Sequence, residues 1–166
     1  MNMKFQGDPK TSTLLELKFW LREQTKDAKK SAECPCCTQD VRVWPRKLNS
    51  GMARSAIIIY RSTKPGEWFD VGALPKKQKL DLHHWEYSKL RFWGILEEQV
   101  ASGRPNSLWR LTPLGRTFVE NKVRLQQKVW VYDNEALGRK DKKTTSITEA
   151  LGVKFNFDSL MRGEGG

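Results

Sequence analysis

Three cysteines stand within four positions, Cys34-Pro35-Cys36-Cys37, and the chain has no others. Cys34 and Cys37 have the spacing that lets two thiolates share one tetrahedral ion, and zinc is the metal that suits such a site. A closed structural site needs four ligands, and no second Cys-x-x-Cys follows. Completing it calls for Cys36, for His83 or His84, for a carboxylate, or for a second subunit. The competing reading is a plain turn with idle thiols. His83 and His84 are adjacent, so on a helix their rings diverge by about 100° and cannot chelate together. They read more simply as cap or packing residues. Glu97 and Glu98 are adjacent on an expected strand and face opposite sides, which argues against a paired-carboxylate site. With no glycine-rich phosphate loop, nucleophile elbow or His-Glu-x-x-His helix, enzymatic chemistry is not expected.

Whatever these residues do, charge sets the partner. The 166 residues carry 30 Lys and Arg against 19 Asp and Glu, a net charge of +11. The surplus is spread along the chain. It is 10 against 6 in residues 1–47, 12 against 7 in 48–123 and 8 against 6 in 124–166. No tail holds it, so a basic surface on a folded body is expected, and a polyanion such as nucleic acid is the natural partner. Seven Trp and seven Phe within 38% hydrophobic residues speak for a real core. No apolar run approaches the roughly 18 residues of a membrane helix. With no secretory leader at residues 1–10, a cytoplasmic protein without membrane contact is expected. Three clustered cysteines cannot form a disulfide framework, which fits a reducing compartment.

Helical periodicity and capping boxes divide the chain. Thr13 and Glu16 have capping-box spacing ahead of Leu14, Leu17, Trp20 and Leu21, predicting a helix over 13–30. Val41–Trp44 reads as a short strand and Pro45-Arg46-Lys47 as a hinge. Asn49 or Ser50 opens a helix bearing Met52, Ala53, Ala56, Ile57 and Tyr60 on one face. Trp68–Val71 is a short strand, and 75–79 a short second helix or the turn replacing it. Leu82–Gly94 is a helix that Gly94 ends as a left-handed cap. Ile95–Val100 and Leu108–Leu111 are strands joined by a Ser102–Asn106 loop, and Thr112-Pro113 starts a helix running to Val123. Gln127–Tyr132 and Glu135–Leu137 form a hairpin about Asp133-Asn134. Ser146 and Glu149 then cap a short helix closed by Gly152.

The Trp93-Gly94-Ile95 corner, two strands and a Trp109-x-Leu111-Thr112-x-x-Gly115 helix start resemble the back half of a winged helix-turn-helix domain. The resemblance covers residues 48–122. It implies an α+β fold: three helices plus a β-wing, preceded by an N-terminal helix and Cys knuckle (1–47) and followed by a hairpin and short-helix extension (123–166). The Cys34–Cys37 stretch also resembles one knuckle of a zinc ribbon and, more distantly, the redox motif of thioredoxin-like proteins, which sits in a βαβ setting absent here. The C-terminal extension, the Cys knuckle and the Asn49-Ser50-Gly51-Met52-Ala53 helix together resemble small bacteriophage proteins over most of the chain, a resemblance that brings no activity with it; a small phage or bacterial regulator is the expected role.

If the resemblance holds, double-stranded DNA is the partner. The Leu82–Gly94 helix would enter the major groove, with His84, Tyr87 and Arg91 on its outer side, Ser88 near the edge, Leu90 off the apolar side and Lys89 nearer the core. Lys76 and Lys77 would touch phosphates from the second helix, and Arg104 would reach out from the wing tip. The alternative is a protein-interaction module that docks through its aromatic residues and modulates a host complex. A homodimer built on the N-terminal helix is a further alternative.

Overall fold

The computed structural model describes residues 5, 7–8, 10–25, 31–74, 82, 86–101, 104–138 and 141–164, with backbone alone for 104–106. It is an α+β protein. In chain order come α1 (Leu14–Gln24), β1 (Ser31–Glu33), β2 (Asp40–Arg42), β3 (Trp44–Lys47), α2 (Ser50–Ser62) and β4 (Trp68–Asp70). A 3-10 helix occupies Glu86–Trp93. Then follow β5 (Leu96–Ala101), β6 (Arg104–Leu111), α3 (Pro113–Val119), β7 (Leu125–Gln126), β8 (Lys128–Tyr132), β9 (Glu135–Ala136), β10 (Thr144–Thr145), α4 (Ile147–Leu151) and α5 (Phe157–Arg162). Among the described residues, no helix is long and apolar enough to cross a membrane.

The chain forms two compact units, each discontinuous in sequence. One comprises Met1–Arg46 and Val129–Arg139, the other Lys47–Lys128 and Lys140–Gly166. In the smaller unit, Leu21, Ala32, Val43 and Tyr132 form the core, with Trp20, Cys34, Val41, Trp130 and Leu137 packed on it. Lys18 and Arg22 tie α1 to Asp133 and Glu135 at 3.3 and 2.8 Å. Asp133 and Asn134 form the turn between β8 and β9, both at positive φ, the left-handed conformation that joins two-residue hairpins. The Thr13–Glu16 capping box forms, but α1 is shorter than expected. Thr25 closes it by donating its hydroxyl to the Leu21 carbonyl at 2.7 Å, and residues 26–30 lie outside the described set. The expected hinge at Pro45 is instead strand β3, on the edge of a β3-β8-β9 sheet. An edge position tolerates proline because one side of the strand needs no N–H donor.

The larger unit is built on α2. Asn49 caps it by accepting the Met52 N–H at 2.9 Å, and Met52 through Ile59 are all buried. The 3-10 helix, α3, α4 and α5 pack around it. A separate antiparallel sheet runs β4-β6-β5, so the short Trp68 strand lies beside the hairpin. The hairpin loop is shorter than expected. Strand β6 begins at Arg104, with Ala101 opposite Arg104 and Val100 opposite Pro105. Pro105 is tolerated because β4 ends at the Asp70–Leu108 pair, leaving this stretch bonded on one side only. The register shifts between Glu98 and Val100, and Ser107 at φ 67° carries the irregularity on the facing strand.

Two glycines are demanded by geometry. Gly94 sits at φ 69° and ends the 3-10 helix. At Gly115 a β-carbon would lie 2.3 Å from the Ile95 carbonyl oxygen, because the start of α3 presses against the corner after Gly94. Thr112 fastens the same corner, donating its hydroxyl to Gly94 O at 2.6 Å and its amide to Ile95 O at 3.0 Å. The expected final helix stops early, at Val119, where Asn121 turns to positive φ. At the C-terminal end the second capping box, Ser146 with Glu149, forms in full and Gly152 ends α4 at φ 62°.

Candidate nucleic-acid interface

The segment expected to read DNA does not have the pitch assumed for it. Residues 86–93 wind as a 3-10 helix, which turns once every three residues instead of every 3.6. A row at i, i+3 and i+6 therefore faces inward: Tyr87 at 6% exposure, Leu90 at 0% and Trp93 at 7%. Tyr87 was expected on the outer side, and Leu90 off the apolar one. Both expectations rest on 100° per residue, and both are corrected by 120°. Tyr87 is a core residue, edge-on to Trp109 with ring centroids 5.5 Å apart. Burial pushes its hydroxyl pKa up, and the charges of Glu98 and Asp70 add to that.

The cations of this segment have partners. Lys89 is half-buried and pairs with Glu86 one turn earlier. Arg91 meets Glu98 at 3.1 Å and lies over Phe92, its guanidinium 5.2 Å from the ring centre. On the sheet, Arg110 pairs with Glu97 at 2.6 Å and covers Trp68 at 4.4 Å. Glu97 and Glu98 thus serve two different arginines, in keeping with adjacent positions on a strand. Ser88 is half-buried. Arg104 stands where β6 begins, opposite Ala101, and its side chain lies outside the described set. Lys76, Lys77, His83, His84 and the expected second helix at 75–79 also lie outside it.

Unmatched positive charge collects elsewhere, around Gln127. The Leu48 amide donates to the Gln127 carbonyl at 3.0 Å, and the Gln127 amide donates to the Lys143 carbonyl at 2.9 Å. The Asp141 carboxylate is turned inward on the same backbone. It accepts the amides of Lys128 at 3.0 Å and Lys143 at 3.2 Å. Lys47, Lys128, Lys142 and Lys143 are all exposed, and none forms an ion pair among the described residues. Trp93 joins this backbone to the 3-10 helix, its indole N–H donating to the Gln126 carbonyl at 2.8 Å. The Arg139–Lys143 charge run stands out in the sequence. Its meaning depends on Lys47 and Lys128, which are remote in sequence.

The cysteine turn is closely held. The Cys34 amide donates to Gln39 O at 2.8 Å and the Thr38 amide to Cys34 O at 2.9 Å. Thr38 adopts φ 60° to complete the loop between β1 and β2. Cys34 is half-buried, while Cys36 and Cys37 are exposed. Among the described residues, no group of three or more His, Cys, Asp or Glu side chains is placed to hold a metal. The expected further ligands His83 and His84 fall outside that set.

Compared with protein-family models, with curated proteins and with solved structures, the chain finds no match in any of the three.

Proposed function

We propose that the protein binds double-stranded DNA, chiefly by contacting phosphates from the lysine-rich surface around Gln127. The observation that carries this reading is that Lys47, Lys128, Lys142 and Lys143 are exposed without ion-pair partners on backbone linked through Gln127, while the Asp141 carboxylate, which keeps its charge, is held by the Lys128 and Lys143 amides. Exposed ammonium groups of one sign concentrate the field that draws a polyanion. A winged-helix-like reading of residues 48–122 supports it: paired β5 and β6 stand as the wing, β4 flanks them, and Arg104 begins β6. In that reading the 3-10 helix is a buried strut holding the lysine surface through Trp93, and sequence readout is weak. A small phage or bacterial regulator is the role that fits.

The test is fluorescence anisotropy of a labelled random-sequence duplex over a range of salt concentrations. Affinity should fall steeply with salt, since each phosphate neutralised contributes about 0.9 to the log–log slope. Binding that is absent at low salt, or indifferent to salt, would refute the proposal.

One observation favours a second reading, a protein-interaction module. Helix α1 exposes Leu15 at 78% and Phe19 at 66%, one turn apart, with Leu14 beside them. Apolar side chains grouped on an exposed helix face are a feature of protein interfaces. If that reading is right, Leu15→Ser with Phe19→Ser abolishes partner capture and leaves the salt titration unchanged.

A further inference from the structure

The smaller unit carries an aromatic side chain that its core does not use. Trp44 opens β3 and is 59% exposed, while Val43 just before it is 1% exposed and belongs to the core. Extended backbone explains the alternation: Val41 and Val43 turn inward, so Arg42 and Trp44 turn out. Arg46 continues the row two residues on, about 6.6 Å further along the strand. The Arg42 guanidinium lies over the Trp44 ring, 5.7 Å from its centre, and also pairs with Asp40 at 3.0 Å. Arg46 is exposed and forms no ion pair among the described residues. From Val41 to Leu48 the chain has three cations, Arg42, Arg46 and Lys47, and no acid. The flanking acids, Asp40 and its cross-strand partner Glu33, stand beyond Arg42 at one end of the row.

A flat ring held in water between two guanidinium groups is complementary to a ligand with a flat face and negative charge beside it. A nucleic-acid base with its phosphates has both, and stacking on an aromatic side chain tolerates any base because every base has a π-face. A duplex keeps its bases paired and stacked, so only an unpaired base can lie on the indole. A peptide added as a further strand is a poorer fit. Strand β3 is the outer strand of the β3-β8-β9 sheet, and Pro45 in its middle has no N–H to offer such a partner.

We propose that Arg42, Trp44 and Arg46 form a binding site for single-stranded nucleic acid. Trp44 stacks one unpaired base on the ring face opposite Arg42, and Arg46 pairs with an adjoining phosphate. Arg42, tethered by Asp40, fixes the orientation of the indole. All three residues belong to the smaller unit, and the site does not draw on the lysine surface around Gln127.

The experiment uses the full chain with Trp44→Ala, Trp44→Tyr and Arg46→Gln variants, each first checked for parent-like circular dichroism. The probes are a short labelled oligothymidine and an abasic strand with the same number of phosphates. In anisotropy titrations the parent should bind oligothymidine on the order of 10-fold more tightly than the abasic strand, the worth of one base–aromatic stack. Trp44→Ala should bring the two probes to the same affinity, and Trp44→Tyr should keep most of the difference. Arg46→Gln should weaken both alike and lower the salt slope by about 0.7, the contribution of one phosphate on a single strand. On the random duplex, Trp44→Ala should titrate like the parent, so failure of this site and failure of the duplex reading give different results. Equal binding of the two probes by the parent, or a preference for oligothymidine that survives Trp44→Ala, would overturn the proposal.

Discussion

Two basic regions of the larger unit are built to opposite ends. Along the 3-10 helix and the β5–β6 hairpin, Lys89, Arg91 and Arg110 each meet a carboxylate, from Glu86, Glu98 and Glu97. Around Gln127, Lys47, Lys128, Lys142 and Lys143 meet none among the described residues, and the Asp141 carboxylate accepts backbone amides there. The first region contributes cations to the composition but little outward field. The second contributes its charge to solvent. A net charge of +11 therefore says that a polyanion is a reasonable partner, and only the pairing says where it would sit.

The largest effects should come from treating the first region as surface. Leu90 is fully buried, so Leu90→Ala should cost about 3 kcal/mol of stability, within the usual range for a core leucine. Tyr87→Ala should cost about as much, since it removes a ring packed on Trp109. Chemical denaturation measures both. A fully stable Tyr87→Ala protein with lost DNA binding would restore Tyr87 to the surface role its helical-wheel position suggested. Gly115→Ala belongs with these. Its β-carbon would strike a backbone carbonyl that cannot swing aside, and a loss of about 3 kcal/mol or failure to fold is expected.

Intermediate effects sharpen the electrostatic side of the comparison. Glu98→Gln should free Arg91 and strengthen duplex binding modestly, raising the salt slope by about 0.9 if the arginine then reaches a phosphate. Its effect on folding should stay within about 1 kcal/mol, as for other partly exposed pairs. Unchanged binding would mean that this face never approaches DNA.

The smallest effect is acid lability. Thr13 hydrogen bonds lower the pKa of Glu16, Lys122 followed by Tyr60 lowers Glu120, and Arg124 followed by the Ser146 amide lowers Glu149. A carboxylate held below its unfolded value stabilises the fold above that value and loses the contribution as pH falls through the folded one. Urea midpoints should thus be level near neutrality and slip as pH drops below about 4.5, the ordinary value for these groups. Glu120→Gln should flatten part of that decline, and an identical pH profile would remove Glu120 from the account.

Local chemistry was legible in the sequence, and distant pairing was not. The capping boxes at Thr13 and Ser146, the Asn49 cap, the left-handed Gly94 and the Asp133-Asn134 turn each depend on a few neighbouring residues, and each formed. So did the short Trp68 strand. The 3-10 pitch of residues 86–93 was hidden, because the same aromatic-rich string satisfies a 3.6-residue wheel almost as well. Only packing of Tyr87, Leu90 and Trp93 against the sheet and α2 decides between them. Pro45 looked like a hinge because its partner strand β8 begins more than eighty residues later. The lysine surface was missed for the same reason, since Lys47, Lys128 and Lys143 become neighbours only through Gln127.

The central claim is that DNA is held by the unmatched lysines and not by the matched cations of the 3-10 helix. It is tested most directly by paired salt titrations on a random duplex. One protein carries Lys47, Lys128, Lys142 and Lys143 all changed to Gln, and the other carries Lys89→Gln with Arg91→Gln. The account predicts that the first loses most of its affinity, with the salt slope falling by about 0.9 for each lysine that touched phosphate, while the second titrates like the parent. Parent-like binding by the four-lysine variant, with loss in the Lys89 and Arg91 variant, would contradict it.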